Sequence, residues 1–210
     1  METCDIKDFD DMFSFFHAVG RLKDTYRFSA NKFLKDKESS ADHSWRLSLM
    51  AFVVAEELKL DIDVNRAVRI AIVHDINESI TGDIDYRLIV RNIISKEEKK
   101  KSEMEAILKL KGLIGGSMGE DIYGLWKEYE DAATKEARFI KALDKLETLT
   151  YLAESGSEVI DMPDMIAKYA DSAVKNFPAL TGMLDAVKKK LKDLFEKRNI
   201  PWKKEYDALG

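Results

Sequence analysis

Cysteine is all but missing from this chain: 210 residues contain only Cys4. A lone cysteine cannot form an internal disulfide, so a reducing, intracellular compartment is expected. Proline is nearly absent too, with Pro163, Pro178 and Pro201 alone to interrupt helices. No stretch reaches 18 consecutive apolar residues, which leaves no candidate membrane span. The opening residues Met1-Glu-Thr-Cys-Asp-Ile-Lys-Asp-Phe-Asp carry acid where a secretory signal carries base, so a cytoplasmic protein is expected. An excess of positive charge is also missing. Lys plus Arg is 34 against 39 Asp plus Glu, a formal charge of −5. That balance argues against nucleic acid as a partner, while small phosphorylated ligands need only a few local cations. What is present is a globular composition, 45% apolar and 35% charged. Its size suits one domain over 1–210, with a core of about 12–195 and a tail over 199–210.

Apolar residues recur at helical spacing nearly throughout. The pattern predicts helices over 9–20, 42–60, 64–79, 96–113, 119–131, 134–155, 165–176 and 179–198. Ala67, Ile70, Ala71 and His74 form one buried stripe, and Ser39-Ser40-Ala41-Asp42 offers N-caps ahead of His43. Arg87-Leu-Ile-Val-Arg is short enough to be strand or helix, and no alternating strand pattern stands out. The fold class is all-α, a single helical bundle. Gly112, Gly115, Gly116 and Gly119 read as one loop between helices; without a Gly-Lys-Ser/Thr ending or a preceding strand it is no phosphate loop. Lys96, Lys99, Lys100 and Lys101 alternate with glutamates, which makes a solvated helix face.

Polar residues on apolar stripes carry the chemical information. His17, in Phe15-Phe16-His17-Ala18-Val19, has no ligand-type neighbour at useful spacing and reads as structural. His43 opens a helix as Asp42-His43-Ser44-Trp45. His74 and Asp75 close a buried run, where desolvating both groups requires compensation. Asp144 shares a helix face with Ala137, Ile140, Thr148 and Tyr151, so its carboxylate must meet a cation or several donors. A salt bridge to Lys141 or Lys145 would suffice for Asp144 alone. Two imidazoles and two carboxylates together also suit a divalent metal, with Mn, Fe, Co, Ni or Zn compatible.

The order His43, His74-Asp75, Asp144 resembles the H…HD…D signature of the HD-domain metal-dependent phosphohydrolases. His74-Asp-Ile-Asn-Glu78-Ser-Ile-Thr-Gly82-Asp83 is similar to their 5'-deoxynucleotidase branch. Asp42-His43-Ser44, Lys141-Ala-Leu-Asp144 and Tyr123-Gly-Leu-Trp-Lys-Glu-Tyr-Glu130 fit as well, and the likeness spans about 12–195. The resemblance implies one divalent ion (Mn, Co, Fe, Zn, Ni or Mg) held by His43, His74, Asp75 and Asp144. It implies catalytic roles for Glu78 and Asp83 near the attacking water and the substrate. Arg27, in Tyr26-Arg27-Phe28, corresponds to a phosphate-orienting arginine. Phe28 stands where some relatives have Trp, and Asp85 where some have Pro, both where the sugar or base should sit.

The implied activity is removal of the 5'-phosphate from (deoxy)nucleoside monophosphates. A phosphorylated-ligand sensor that keeps the metal but turns over little is the alternative. If the helix over 64–79 runs through, Glu78 lies one turn beyond Asp75 on the same face. No histidine follows His74, which points to a one-metal centre rather than the multi-metal phosphodiesterases. The resemblance also implies a homodimer. The aromatic tail Ile200-Pro-Trp202-Lys-Lys-Glu-Tyr206 could serve that interface, or fold back on the core.

Overall fold

The helices begin where short polar side chains can take up free backbone N–H groups. Ser39 accepts from the Asp42 N–H while the Asp42 carboxylate accepts from the Ser39 N–H, and Ser95 and Glu98 form the same reciprocal box. Asp63 and Thr134 cap two further starts. The computed structural model describes residues 9–35 and 37–207; Cys4 and most of the acidic N-terminus lie outside the described residues.

In chain order the helices are α1 (Phe9–Gly20), α2 (Ser40–Glu57), α3 (Val64–Val73), α4 (Glu78–Thr81), α5 (Tyr86–Val90) and α6 (Lys96–Ile114). Then come α7 (Gly116–Asp131), α8 (Lys135–Glu154), α9 (Pro163–Lys168), α10 (Asp171–Lys175) and α11 (Thr181–Lys197). The fold is all-α; a lone antiparallel bridge, Tyr26 to Ser39, is the only β-type pairing among the described residues. The Arg87 stretch is helical. No described helix is long and apolar enough to cross a membrane.

The main departures from the sequence pattern lie in three places. The predicted 64–79 helix stops at Val73. Residues 74–77 tighten into i→i+3 bonds, Ile76 N–H to Val73 O at 3.2 Å and Glu78 N–H to Asp75 O at 3.0 Å. The Trp126 indole N–H holds the Asn77 side chain from across the core at 3.0 Å, a tertiary restraint that periodicity does not carry. The predicted 165–176 helix divides between α9 and α10. The glycine loop shrinks to one residue: α6 runs through Gly112, and Gly115, at φ +57°, turns the chain directly into α7. Gly119 is needed for close approach, since a Cβ there would come within 2.6 Å of the Lys111 carbonyl oxygen.

Helix α8 lies at the centre, packed against α2, α3, α7, α10 and α11. It is buried almost all round, with Phe139, Ile140, Leu143, Leu146 and Leu149 at 0% exposure. Asp144, Glu147 and Thr148 are therefore carried into the interior by a helix that is buried on nearly every side. The aromatic tail folds back: Trp202 and Tyr206 meet Phe195 of α11, and Tyr206 is buried.

Candidate active site

Three helices deliver four side chains to one point. His43 comes from the first turn of α2, His74 and Asp75 from the end of α3, and Asp144 from mid-α8. His43 Nε2 lies 3.2 Å from His74 Nε2, 3.3 Å from Asp144 Oδ1 and 3.8 Å from Asp75 Oδ2. His74 Nε2 is 3.0 Å from Asp75 Oδ2. His43, His74 and Asp75 form a compact trio able to hold a metal ion, and Asp144 joins it through His43.

The imidazoles are oriented from behind. His43 Nδ1–H donates to Glu147 Oε2 at 2.5 Å, and His74 Nδ1–H donates to the Ala71 carbonyl at 2.7 Å. An acceptor at Nδ1 fixes the tautomer whose Nε2 lone pair faces inward. Two lone pairs and two carboxylate oxygens then converge, and the cluster needs positive charge. Burial and Arg27 oppose a charge on His43, yet Asp144 and Glu147 push its pKa up to about 9. A divalent cation answers the same need. Bonds of about 2.1 Å place neighbouring ligand atoms about 3.0–3.4 Å apart, and the contacts of 3.0, 3.2 and 3.3 Å fall in that range, with His43 to Asp75 longer at 3.8 Å. Burial also resists the charges on Asp75 and Asp144, but the nearby cations hold both below the usual carboxylate range. For Asp144 the leading cation is Lys145, bonded to Oδ2 at 2.9 Å beside the Tyr129 hydroxyl at 2.8 Å. The salt-bridge and metal-site readings of Asp144 thus occupy different oxygens of one carboxylate.

A second trio, Glu38, His43 and Glu147, is already neutralised. Arg27 Nη1 reaches Glu38 at 3.0 Å and Glu147 at 3.4 Å, and Arg46 bonds Glu147, Glu154 and Glu38. These arginines hold the carboxylate that holds His43.

His74, Asp75 and Asp144 line a cleft, with His43 buried against them, and its empty space is about 1050 Å³, open water at its mouth included. Glu78, Asp83, Arg27 and Phe28 all line it. Despite the break in the helix, the tightened turn keeps Glu78 one turn past Asp75. Its carboxylate accepts from the Ser40 hydroxyl at 2.5 Å, and burial, with Asp75 and Asp83 nearby, raises its pKa well above the usual value. Asp83 accepts the Phe28 N–H and Asp85 the Ala30 N–H, both at 3.0 Å, so residues two apart clamp backbone groups two apart. That clamp holds Phe28 at φ +58°, its ring stacked on Tyr151. Arg27 is buried, and its fork is taken by Glu38, Glu147 and Thr148. His17 is exposed on α1 and does not line the cleft.

Sequence reasoning missed Glu147, Arg46, Tyr129 and Arg87. Glu147 had a signal, since it follows Asp144 by three on a helix whose neighbours are Leu146 and Leu149. Arg87, fully buried and paired with Asp161 74 residues away, had none.

A family model of the HD domain matches residues 19–178. The 5'-deoxynucleotidase HDDC2 of Danio rerio is 32% identical over 181 residues, covering 85% of this chain and 86% of that protein. The 5'-deoxynucleotidase hdd1 of Schizosaccharomyces pombe is 35% identical over 145 residues, 67% of this chain and 70% of its own. In fold, the chain matches the crystal structure of a predicted metal-dependent phosphohydrolase from Magnetospirillum magnetotacticum MS-1 with a TM-score of 0.75. That match covers 96% of this chain and 100% of that one at 24% identity. With histidines and aspartates in the order the signature requires, now converging at the floor of one cleft, the chain belongs to the HD-domain family, alongside these 5'-deoxynucleotidases.

Proposed function

We propose that the cleft removes the 5'-phosphate from nucleoside monophosphates, deoxynucleotides foremost, as a metal-dependent phosphohydrolase. The observation that carries this reading is the convergence of His43, His74, Asp75 and Asp144 beside the buried, acid-tuned Glu78. These four side chains would hold the divalent ion. When bound, such an ion neutralises phosphoryl oxygens and acidifies water at the site.

The remaining work falls to this chain. Hydrolysis joins the water oxygen to phosphorus and breaks the bond to the sugar 5'-oxygen. That leaving oxygen needs a proton, and the water must lose one. Glu78, whose carboxyl is shifted toward the protonated form by burial and by Asp75 and Asp83, would give a proton from Oε to the sugar oxygen, and the proton shed by water would restore it. Asp83 holds Phe28 in place while facing the same space, a second carboxylate for the substrate's polar groups. Arg27 supplies positive charge from behind the floor, and Phe28 and Asp85 shape the sugar and base end.

A cytoplasmic location is the one we favour, because a nucleotide substrate would be met there, and a homodimer is the assembly we favour. Its support is exposed apolar surface on two helices: Phe9, Phe13 and Phe16 on α1, with Trp45, Leu49 and Phe52 on α2. The test is phosphate release from a panel of nucleotides after reconstitution with Mn, Co, Mg or Zn.

A further inference from the structure

Five cations line the cleft: Arg27, Arg87, Lys99, Lys141 and Lys145. Four of them are ion-paired. Arg27 is held by Glu38 and Glu147, Arg87 by Asp161 and Asp85, Lys99 by Glu103, and Lys145 by Asp144. Lys141 alone makes no ion pair or hydrogen bond among the described residues. Its ammonium sits over the face of Tyr129, 4.3 Å from the ring centroid. The same tyrosine donates its hydroxyl to Asp144 and packs its ring edge-on against His74, so the free cation stands at the rim of the ligand cluster. It precedes Asp144 by three residues on α8, which puts both on one side of that helix.

We propose that Lys141 is the phosphate-binding cation of the cleft, taking a non-bridging oxygen of the substrate's phosphate. This rests on the phosphohydrolase reading above. A phosphomonoester dianion entering here passes Asp75, Asp83, Glu78, Glu103, Glu130 and Asp144, and it needs a cation that is not already neutralised. Arg27 fits that role less well, because its donors are engaged with two carboxylates and a hydroxyl. The aromatic face holds the ammonium without competing for its three N–H donors. Burial, together with the neighbouring Lys145, keeps the Lys141 pKa below the ordinary lysine value, so an arriving anion relieves a poorly compensated charge.

The test uses the full, metal-reconstituted chain with Lys141→Met and Lys141→Arg, and inorganic phosphate as the probe. Phosphate binding is measured by calorimetry and by competitive inhibition, deoxynucleoside inhibition is measured in parallel, and metal per chain by elemental analysis. Lys141→Met should weaken phosphate binding about 10- to 100-fold, the loss of one charged hydrogen-bond donor. Deoxynucleoside inhibition and metal content should stay at the parent values, and Lys141→Arg should restore most phosphate binding. Unchanged phosphate affinity in Lys141→Met overturns the proposal. So does loss of metal, or an equal loss for phosphate and deoxynucleoside, because either makes Lys141 a structural support. The calorimetric arm is independent of turnover, so a parent protein inactive on every nucleotide refutes the phosphohydrolase reading while phosphate affinity still judges Lys141.

Discussion

The carboxylate of Glu147 lies 2.5 Å behind His43 Nδ1, on the opposite edge of the ring from the Nε2 that faces His74. Arg27 and Arg46 in turn hold Glu147, and the chain from arginine to carboxylate to imidazole keeps the ligand atom aimed into the cluster. Glu147→Gln should therefore weaken metal binding about 10- to 100-fold while leaving the helical fold intact. Calorimetric titration of the metal-free variant checks this, and parental affinity would remove Glu147 from the account.

Glu78→Gln keeps the shape but holds no transferable proton. Turnover should fall about 10²- to 10⁴-fold with metal content unchanged. Wild-type turnover at full metal occupancy would pass the acid/base role to Asp83, testable with Asp83→Asn.

Asp83→Ala removes the acceptor for the Phe28 N–H, the bond that restrains a non-glycine residue in the left-handed region. The Phe28 segment should loosen, with KM raised more than kcat lowered. Asp83→Asn keeps an acceptor oxygen and should retain more of the substrate affinity; an identical KM in both variants would contradict the clamp.

Glu128 of α7 ties together α3 and the start of α8, accepting from Arg66 Nε at 3.0 Å and from the Thr134 hydroxyl at 2.5 Å. Burial opposes its charge, but Arg66 and Thr134 hold its pKa below the ordinary 4.5. A carboxylate with a lower pKa folded than unfolded adds stability above its unfolded value and loses it as pH falls. The Tm gap between parent and Glu128→Gln should be full above 4.5 and shrink on acidification below it. A gap that widens in acid contradicts this sign.

The apolar faces of α1 and α2 predict self-association. Light scattering should give twice 24.0 kDa, and Phe13→Glu with Leu49→Glu should return the monomer mass. A mass near 24.0 kDa for the parent across micromolar concentrations would refute the dimer.

How far the sequence carries can be read residue by residue. His74, Asp75 and Asp144 are legible because each ends or interrupts an apolar stripe, where burial demands a partner, and His43 is legible through the H…HD…D order. The all-helical class follows from periodicity alone. The break after Val73 is not legible, because Ile76 continues the apolar pattern and the turn is fixed by Trp126, 49 residues away from Asn77. Nor is the neutralisation of Arg27, whose partners Glu147 and Thr148 lie 120 and 121 residues downstream. The glycine cluster misleads because Gly112 and Gly119 serve helix interiors, and only Gly115 and Gly116 adopt left-handed backbone.

The most direct test of the central claim is phosphate release from nucleoside 5'-monophosphates by the metal-reconstituted protein, beside a His74→Ala Asp75→Ala variant. The parent should carry about one divalent ion per chain and release phosphate, and the variant should lose both. A parent that carries its metal but releases no phosphate from any 5'-monophosphate, or a variant that matches the parent, would contradict it.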